Sequence, residues 1–426
     1  MIREKLLRGL RKPLCCLMLV VSFGVLKANA ATWFVATTGS DSFSCSQAQS
    51  ATTPKRTIIA ALACVGAAGT EAGAGDTVQV AAGSYSESIV DRIPSGSGPG
   101  MEFTLKCESV RTCTNTLATA YPADAQLGFN AATHWVIIRD FVFVGGGGSY
   151  LSSETPGNFH HISFINNEMK DMPNGMGLQG GYADDITFKG NIVHDIGSGS
   201  HCLGYCHGIY PGFHTNRWII EDNQFYNIAA YGIHVHAQTP DPDKVPEGHI
   251  IRRNITGNNG TVGVNGAGII VYGTGHSVYN NIAYKNTMYG IMVRGNDTRV
   301  YNNTIYGNAQ GGLYSESGSL SCINNLIVGN GGLPIEGPCS SNSNNITSGS
   351  AASFFLNTAA GDYRLVDGST AIDRGANLSS MISDDFAGRA RPQGNGFDVG
   401  AYEHIAGGTF ENTSPPAPPM NLRVIP

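Results

Sequence analysis

One short phrase, an apolar strand that ends on Asn, recurs seven times between Ile162 and Leu326. The copies read FINN, FKGN, IEDN, IRRN, VYNN, VYNN and INN, and they end on Asn167, Asn191, Asn223, Asn254, Asn281, Asn303 and Asn325. The last three Asn residues are spaced by 22 residues, and the longer spacings occur where residues are inserted. A period in this range is typical of a solenoid, in which each repeat forms one coil that stacks on the next.

Two columns of mostly apolar residues flank the Asn positions and predict the core. Three residues before each Asn stand Phe164, Phe188, Ile220, Ile251, Val278, Val300 and Cys322, and two residues after it stand Met169, Val193, Phe225, Thr256, Ala283, Ile305 and Ile327. β-branched and aromatic residues bounded by Gly and Asn indicate short strands. Parallel coiling pairs the open edge of each coil with the next coil. The predicted fold class is therefore all-β, a single-stranded right-handed parallel β-helix.

The recurring Asn residues are predicted to be structural rather than catalytic. Asn tolerates left-handed backbone geometry, and its side-chain amide can bond to the next Asn along the stack. We therefore expect a ladder of Asn side chains that runs along the solenoid.

The chain of 426 residues is predicted to contain one elongated domain, because the core of a solenoid grows along a single axis. Residues 1–30 combine basic residues, an apolar run over 14–26 and an Ala-Asn-Ala ending, which is typical of an export signal cleaved near Ala30. The run is shorter than the roughly 20 apolar residues of a membrane anchor. We expect a β-helix domain over 31–404, with an N-terminal cap over 31–90, repeats over about 91–350 and a C-terminal cap over 351–404. Residues 405–426 form a Pro-rich tail that is expected to be disordered.

Eight cysteines remain after the predicted signal, and an even number in an exported chain indicates disulfides. They fall in close pairs: Cys45 with Cys64, Cys107 with Cys113, Cys202 with Cys206, and Cys322 with Cys339. Zinc binding by Cys202, Cys206 and His207 is disfavoured, because no second ligand pair stands nearby. The protein is thus predicted to be secreted, either extracellular or periplasmic.

The charge of the chain argues against nucleic acid as a partner. Removing the signal takes away six Lys or Arg residues and one Glu, so the mature net charge is (26 − 6) − (32 − 1), or −11. A polysaccharide partner, including an acidic one, is compatible with this charge if a local basic group binds it. We expect a monomer that binds neither nucleic acid nor membrane.

The two ends of the predicted domain resemble those of known secreted proteins. Residues 57–66 have helical apolar spacing and are predicted to form a single helix that caps the core. The following GDTVQV at 75–80 and GSY at 83–85 resemble the opening coil of secreted β-helix proteins of the pectate-lyase-like superfamily. The segments AID at 371–373, DFAG at 385–388, RP at 391–392 and DVGAYE at 398–403 look like the closing module of exported bacterial β-helix proteins. These resemblances imply the fold and say little about activity.

A second strand in each coil begins after a Gly and carries the residues with chemistry. The aligned segments are HGIYPGF, YGIHVHAQT, AGIIVYGT, YGIMVRGN and GGLYSESG, in which Ile209, Ile233, Ile269, Ile291 and Leu313 are predicted to point inward. By alternation, the outward columns are Tyr210, His234, Ile270, Met292 and Tyr314, and then Gly212, His236, Tyr272, Arg294 and Glu316. Adjacent coils lie about 4.8 Å apart, so His236, Tyr272 and Arg294 are predicted to form a row about 10 Å long. Insertions before Gly208, after Thr239 and before Gly268 flank this row and are expected to wall a binding cleft.

Residues 231–239, YGIHVHAQT, resemble the active-site strand of β-helical mannuronan epimerases and related alginate lyases, whose pattern is YGFDPHEQT. Tyr231, Gly232, His236, Gln238 and Thr239 match, whereas His234 stands where the family has Asp. The resemblance implies that Tyr231 and His236 are the acid/base pair that moves the proton on carbon 5 of a uronate.

The chemistry of that reaction is consistent with the other residues of the row. The carbon-5 proton becomes acidic only when the neighbouring carboxylate is neutralised, for which Arg294 is the candidate. A base that titrates near neutral pH then removes the proton. The predicted catalytic residues are His236, Tyr231, His234, Arg294 and Tyr272, and the predicted substrate-binding residues are Tyr210, Gln238, His207, Glu316 and Gln179. We expect a polysaccharide lyase or carbon-5 epimerase that acts on a uronic-acid polysaccharide.

Several alternatives stay open. Arg294 and Glu316 could form a simple cross-strand ion pair, and His207, His234 and His236 could bind a metal, although no metal is predicted. Calcium is the one cofactor left open, at Asp241 and Asp243. A glycoside hydrolase resembling polygalacturonases would use clustered aspartates, for which Asp184, Asp185 and Asp222 are available. A β-helix that only binds polysaccharide is the third alternative.

Overall fold

The computed structural model describes residues 30–118, 125–129, 132–152, 159–199, 202, 205–237, 245–261, 266–316 and 319–406. The predicted export signal up to residue 29 and the tail from residue 407 lie outside these residues. Gln238, Asp241 and Asp243 lie outside them as well.

Each full coil of the solenoid contributes one strand to each of three parallel sheets. Within the described residues, sheet 1 contains Thr32–Val35, Thr77–Val80, Phe103–Cys107, His134–Arg139, Phe159–Ile165, Ala183–Asp184, Thr187–Lys189, Ile219–Glu221, Ile250–Arg252, Ser277–Tyr279, Arg299–Tyr301, Ser321–Ile323 and Ser341–Ser343. Sheet 2 contains Ile89–Val90, Leu127–Gly128, Gly148–Ser152, Met176–Gly181, Ile209–Pro211, Ile233–Val235, Ile269–Thr274, Tyr289–Asn296, Gly311–Ser315 and Ile335–Glu336. Sheet 3 contains Gly83–Tyr85, Cys113–Leu117, Phe141–Gly145, Glu168–Met172, Ile192–Ile196, Gln224–Ile228, Ile255–Gly257, Ile282–Tyr284, Thr304–Tyr306 and Leu326–Val328. The predicted parallel β-helix is confirmed. Each copy of the repeated phrase contains the end of a sheet 1 strand, and the residue two positions after its Asn lies in the next strand, in sheet 3.

The core lies between the three sheets and is formed by the columns that the sequence predicts. Every member of the two columns that flank the Asn positions is fully buried, from Phe164 and Met169 to Cys322 and Ile327. The inward column of sheet 2, from Ile209 to Leu313, is fully buried too. Since successive residues of a strand point to opposite faces, the burial of these columns places the intervening side chains on the outer surface.

The Asn ladder is present, and its geometry differs from the prediction in one respect. The side-chain amide of Asn281 donates to Oδ1 of Asn303 at 3.1 Å, and Asn254 donates to Oδ1 of Asn281 at 3.0 Å. The left-handed residue is the one before each ladder Asn, for example Asn280 with a φ of 54°. A second ladder of Asn259, Asn286, Asn308 and Asn330 runs between sheets 3 and 2 and was not predicted.

The helix Ile58–Val65 begins after Thr57, whose hydroxyl accepts a hydrogen bond from the backbone N–H of Ala60 at 3.2 Å. Ile58, Ala61 and Leu62 are buried in the main core, so the predicted helix is observed; its capping role stays a prediction. Shorter 3-10 helices cover Gln47–Gln49, Glu71–Gly73, Ala351–Ser353 and Thr358–Ala360. None of the described helices is long and apolar enough to cross a membrane.

The C-terminal segment, which contains the antiparallel strands Phe355–Asn357 and Asp362–Leu365, packs on the outer faces of sheets 3 and 1. The left-handed Asn280 and Asn302 donate to the backbone carbonyls of Asp384 and Asp398 in this segment, at 2.7 and 2.8 Å. The double Asn of the last repeats is thereby explained: the first Asn binds the C-terminal segment, and the second belongs to the ladder. The domain boundaries themselves stay predictions.

All four disulfides predicted from the spacing of the cysteines are present, between Cys45 and Cys64, Cys107 and Cys113, Cys202 and Cys206, and Cys322 and Cys339. Four disulfides indicate an oxidising compartment.

Candidate active site

The parallel register of sheet 2 sets the positions of the candidate residues. Ile233 pairs with Ile269, and Ile269 pairs with Ile291, so the residues three positions further on, His236, Tyr272 and Arg294, lie on consecutive coils. The backbone N–H of His236 donates to the carbonyl of Pro211 at 2.8 Å, which extends the same register past the end of its strand. The row predicted from the sequence therefore forms one line on the outer face of sheet 2, and we call His236, Tyr272 and Arg294 the row.

The members of the row contact one another. The rings of His236 and Tyr272 lie 5.5 Å apart, centroid to centroid, at an interplanar angle of 70°. Arg294 donates from Nη1 to the hydroxyl of Tyr272 at 2.8 Å, and its guanidinium carbon lies 5.7 Å from the centre of that ring. An imidazole, a phenol and a guanidinium are thus contiguous.

Arg294 also forms the cross-strand ion pair that the sequence left open. Its Nε lies 3.3 Å from Oε2 of Glu316, whose side chain is 53% exposed. Because the pair faces solvent, it is weak, and an anionic ligand can compete with Glu316 for the guanidinium.

A second layer of rings lies beside the row. His234 is only 8% exposed, because Tyr231, Tyr210 and His236 surround it with ring centroids at 4.8, 5.0 and 5.1 Å. His207 is 2% exposed, and its Nε2 lies 3.0 Å from Nδ1 of His234. The structure therefore makes His234 a buried neighbour of the row rather than an exposed imidazole.

The hydrogen bonds of the second layer fix the positions of its protons. The backbone N–H of Tyr231 donates to Nδ1 of His207 at 3.4 Å, so the proton of the neutral His207 ring is on Nε2. This N–H donates a hydrogen bond to Nδ1 of His234. The proton of His234 is then on Nε2. Burial lowers the pKa of His207 to about 3 and the pKa of His234 well below its usual value, so both rings are neutral at neutral pH.

His236 has the properties of a base. Burial lowers its pKa below the ordinary value of 6.5, which keeps the imidazole unprotonated at neutral pH. The ring of Tyr210 stacks on it at 5.5 Å and 25°. Its Nδ1 is buried and has no hydrogen-bond partner among the described residues.

The tyrosines differ in their contacts. The ring of Tyr231 stacks on His207 at 5.4 Å and meets His234, whereas Tyr272 touches both His236 and Arg294. Burial raises the pKa of Tyr231, and burial together with Tyr272 raises the pKa of Tyr210 to about 12.

The remaining predicted residues lie apart from the row or outside the described residues. Gln179 pairs in register with Tyr210, one coil nearer the N-terminus, and is partly buried. Gln238 and the two aspartates considered for calcium are outside the described part of the chain. In that part, no group of three or more His, Cys, Asp or Glu side chains could hold a metal ion.

The carboxylates of the hydrolase alternative do not lie on the row. Asp184 and Asp185 pair with Arg217 at the corner that leads into sheet 1, with Asp185 Oδ1 2.7 Å from Nε. Asp222 pairs with Arg253 at 2.6 Å. These aspartates pair with arginines between coils rather than with residues of the row.

Two buried histidines behind the row were not predicted as site residues. His276 bonds through Nε2 to the backbone carbonyl of Tyr272 at 2.8 Å, and its Nδ1 accepts the backbone N–H of His249 at 3.1 Å. Their rings stack at 5.0 Å and are fully buried. The sequence signal that identifies these histidines is a repeated Gly-His pair, at 248–249 and at 275–276. The two pairs are 27 residues apart, as are the neighbouring ladder residues Asn254 and Asn281.

The architecture and the outward row define a right-handed parallel β-helix with a polar strip on sheet 2, and comparisons with known proteins agree with that fold. Residues 207–367 match the family described as the right handed beta helix region. The structure is similar to pectate lyase Pel9A, with a TM-score of 0.61 and 17% identity, over 89% of this chain and 97% of that chain. The chain therefore has the fold of a pectate-lyase-like parallel β-helix protein.

Two further solved structures show a weaker likeness. A rhamnogalacturonan lyase has a TM-score of 0.49 and 16% identity, over 80% of this chain and 96% of that chain. The periplasmic alginate epimerase AlgG has a TM-score of 0.45 and 18% identity, over 65% of this chain and 63% of that chain. No curated protein sequence matches this chain.

Proposed function

We propose that this protein is an exported enzyme that cleaves a uronic-acid polysaccharide by β-elimination. The observation that carries the proposal is the contiguous row: a neutral imidazole at His236, a phenol at Tyr272 and a cation at Arg294, each in contact with the next. These are the three groups that elimination beside a carboxylate requires: a base, a proton donor and a positive charge.

In the proposed reaction, Arg294 binds the uronate carboxylate and stabilises the negative charge that develops on it. His236 takes the proton from carbon 5, and the electrons of that bond form the double bond between carbons 4 and 5. The bond between carbon 4 and the glycosidic oxygen breaks, and Tyr272 gives its proton to the leaving oxygen. The products are an unsaturated uronate at one new end and an intact hydroxyl at the other.

Tyr272 is preferred to Tyr231 as the proton donor because it contacts both His236 and Arg294. Tyr231 packs on the buried pair His207 and His234. We assign Tyr231, His207 and His234 to positioning of the row.

The test is the ultraviolet absorbance of the unsaturated product on a panel of alginate, pectate, glucuronan and glycosaminoglycans. The wild-type protein is expected to generate it on at least one polymer, and His236→Ala and Tyr272→Phe are expected to abolish it. His134→Ala is the matched control, since His134 is a partly buried imidazole on sheet 1, and it should retain the activity.

Other outcomes would point to another function. A change of uronate stereochemistry without absorbance, measured by NMR, would indicate the carbon-5 epimerase. Release of reducing sugar without absorbance would favour the hydrolase. Absence of all three signals would contradict the proposal, and binding that His236→Ala leaves intact would favour a binding protein.

A further inference from the structure

On the two coils before His236, glycines stand near the positions that correspond to the row. Gly180 pairs with Pro211, and the next positions are Gly181 and Gly212. Gly180 faces the core, because a Cβ there would lie 2.5 Å from the buried ring of Trp218. Gly181 therefore faces outward and is only partly buried, whereas Gly212 is buried. The outer surface at Gly181 is thus a floor of bare backbone.

The second of these two coils contains one extra residue, and as a result the ring of Phe213 lies beside the floor. The backbone N–H of Tyr182 donates to the carbonyl of Phe213 at 3.1 Å, so Phe213 rather than Gly212 lies opposite Gly181. A Cβ on Gly181 would lie 3.8 Å from Cε2 of Phe213, which places that ring at the edge of the floor.

Aromatic rings stand on both sides of the two glycines. On one side is Tyr210, whose ring edge would lie 3.4 Å from a Cβ on Gly212. On the other side, Phe213 meets Tyr182 at 5.4 Å and 83°, and His214 stacks on Tyr182 at 4.7 Å. These rings are all partly buried, so each keeps some surface for a ligand.

The charges near the floor differ from those at the other end of the row. Tyr182 is followed by Asp184 and Asp185, both of which pair with Arg217. Two carboxylates against one guanidinium disfavour an anionic ligand at this place, whereas Arg294 favours one at the far end of the row.

We propose that Gly181, with Tyr210, Phe213 and Tyr182 around it, forms a subsite for an uncharged pyranose that adjoins the uronate at His236. The backbone floor admits the ring, and the aromatic side chains stack on its apolar face. The substrate class is then a polysaccharide in which a uronate is linked to a neutral sugar. This inference rests on the proposed function, which puts a uronate at the adjoining row.

The test compares a mixed polymer, hyaluronan or chondroitin, with the uronate-only polymers alginate and pectate. The wild type is expected to cleave a mixed polymer more efficiently. Phe213→Ala and Tyr182→Ala are each expected to raise KM for it about five- to tenfold and to leave KM for uronate-only oligomers unchanged. Phe213→Tyr keeps the ring and should keep the wild-type KM, which excludes misfolding as the cause.

Tyr226→Ala is the matched control, because Tyr226 stacks on His194 at 4.7 Å on the outer face of sheet 3, the same distance as Tyr182 on His214. It is expected to leave both KM values unchanged. If elimination occurs but both Ala variants match this control, or if uronate-only polymers are the better substrates, the subsite is overturned and the proposed function stands.

If no polymer is cleaved, the proposed function fails, and titration calorimetry with hyaluronan oligosaccharides decides the subsite separately. Binding that Phe213→Ala and Tyr182→Ala weaken and Tyr226→Ala does not would support it. Equal binding by all variants, or none by the wild type, would overturn it.

Discussion

His236 differs from an exposed imidazole because neighbouring rings bury it. Tyr210 stacks on it, and Tyr272 and His234 meet its edges at 5.5 and 5.1 Å. Burial disfavours the charged form, so the ring stays neutral at pH values where an exposed histidine is partly protonated.

The pH dependence of the reaction should report this environment. Because the base must be unprotonated and burial lowers its pKa below 6.5, the midpoint of the rise of kcat/KM with pH is expected below 6.5, and kcat/KM is expected to level off towards neutral pH. Tyr210→Ala opens one face of the imidazole and should move the midpoint of the rise towards 6.5. The measurement is the pH–rate profile of both proteins on the best polymer, and unchanged midpoints would contradict the assignment of His236 as the base.

Glu316 competes with an anionic substrate for Arg294, since it lies 3.3 Å from Nε. Glu316→Gln is expected to lower KM severalfold for a uronate polymer, because it removes a negative charge beside the carboxylate site. The free energy of unfolding should change by less than about 1 kcal/mol, because the pair is exposed. Steady-state kinetics and urea denaturation check both statements, and an increased KM would show that Glu316 itself holds the sugar.

The elements of the solenoid are held in register by side-chain ladders as well as by strand pairing. Asn281 illustrates this: its amide donates to Asn303 and to the carbonyl of Ile251, and its Oδ1 accepts from the backbone and the amide of Asn254. The sequence was sufficient to predict this ladder, since each of its Asn residues ends a copy of the same apolar phrase. It was insufficient for the second ladder, because the residues around Asn259, Asn286, Asn308 and Asn330 share no common phrase.

Asn281→Ala should be strongly destabilising, because it leaves buried donors and acceptors on two neighbouring coils without partners. We expect a loss of about 3 kcal/mol in the free energy of unfolding, measured by urea denaturation. Asn227→Ala is the control: Asn227 is only partly buried, near the end of a strand of sheet 3, where it donates to Asp195 at 3.0 Å, and its loss should cost less than about 1 kcal/mol. Similar losses in the two variants would contradict a structural role for the buried ladder.

On the scale of the whole molecule, the two buried histidines behind the row make the stability of the protein depend on pH. Burial lowers the pKa of His276 to about 4 and that of His249 well below 6.5. In the unfolded chain these histidines have their ordinary pKa of about 6.5, so the unfolded chain binds more protons than the folded chain below that pH. The stability that the two neutral histidines contribute is complete above pH 6.5 and is lost as the pH falls from 6.5 through their lowered pKa values.

The free energy of unfolding is expected to fall between pH 7 and pH 4, and His276 alone contributes on the order of 3 kcal/mol. His276→Gln retains a donor for the carbonyl of Tyr272 and an acceptor for the N–H of His249 but does not titrate. Its stability should decline less over the same range, by urea denaturation at a series of pH values. An equal decline in both proteins would assign the acid sensitivity to other groups.

The sequence by itself determined which residues face the core and which face outward on each coil, because the repeat period and the alternation of strands leave only one register that buries Ile209, Ile233 and Ile269 together. That register put His236, Tyr272 and Arg294 in one row. Only the tertiary structure decided what surrounds them: His207 and His234 are buried between rings, His276 supports Tyr272 from behind, and one extra residue turns Phe213 outward. These contacts join segments from different coils and turns, where no local pattern constrains how side chains pack.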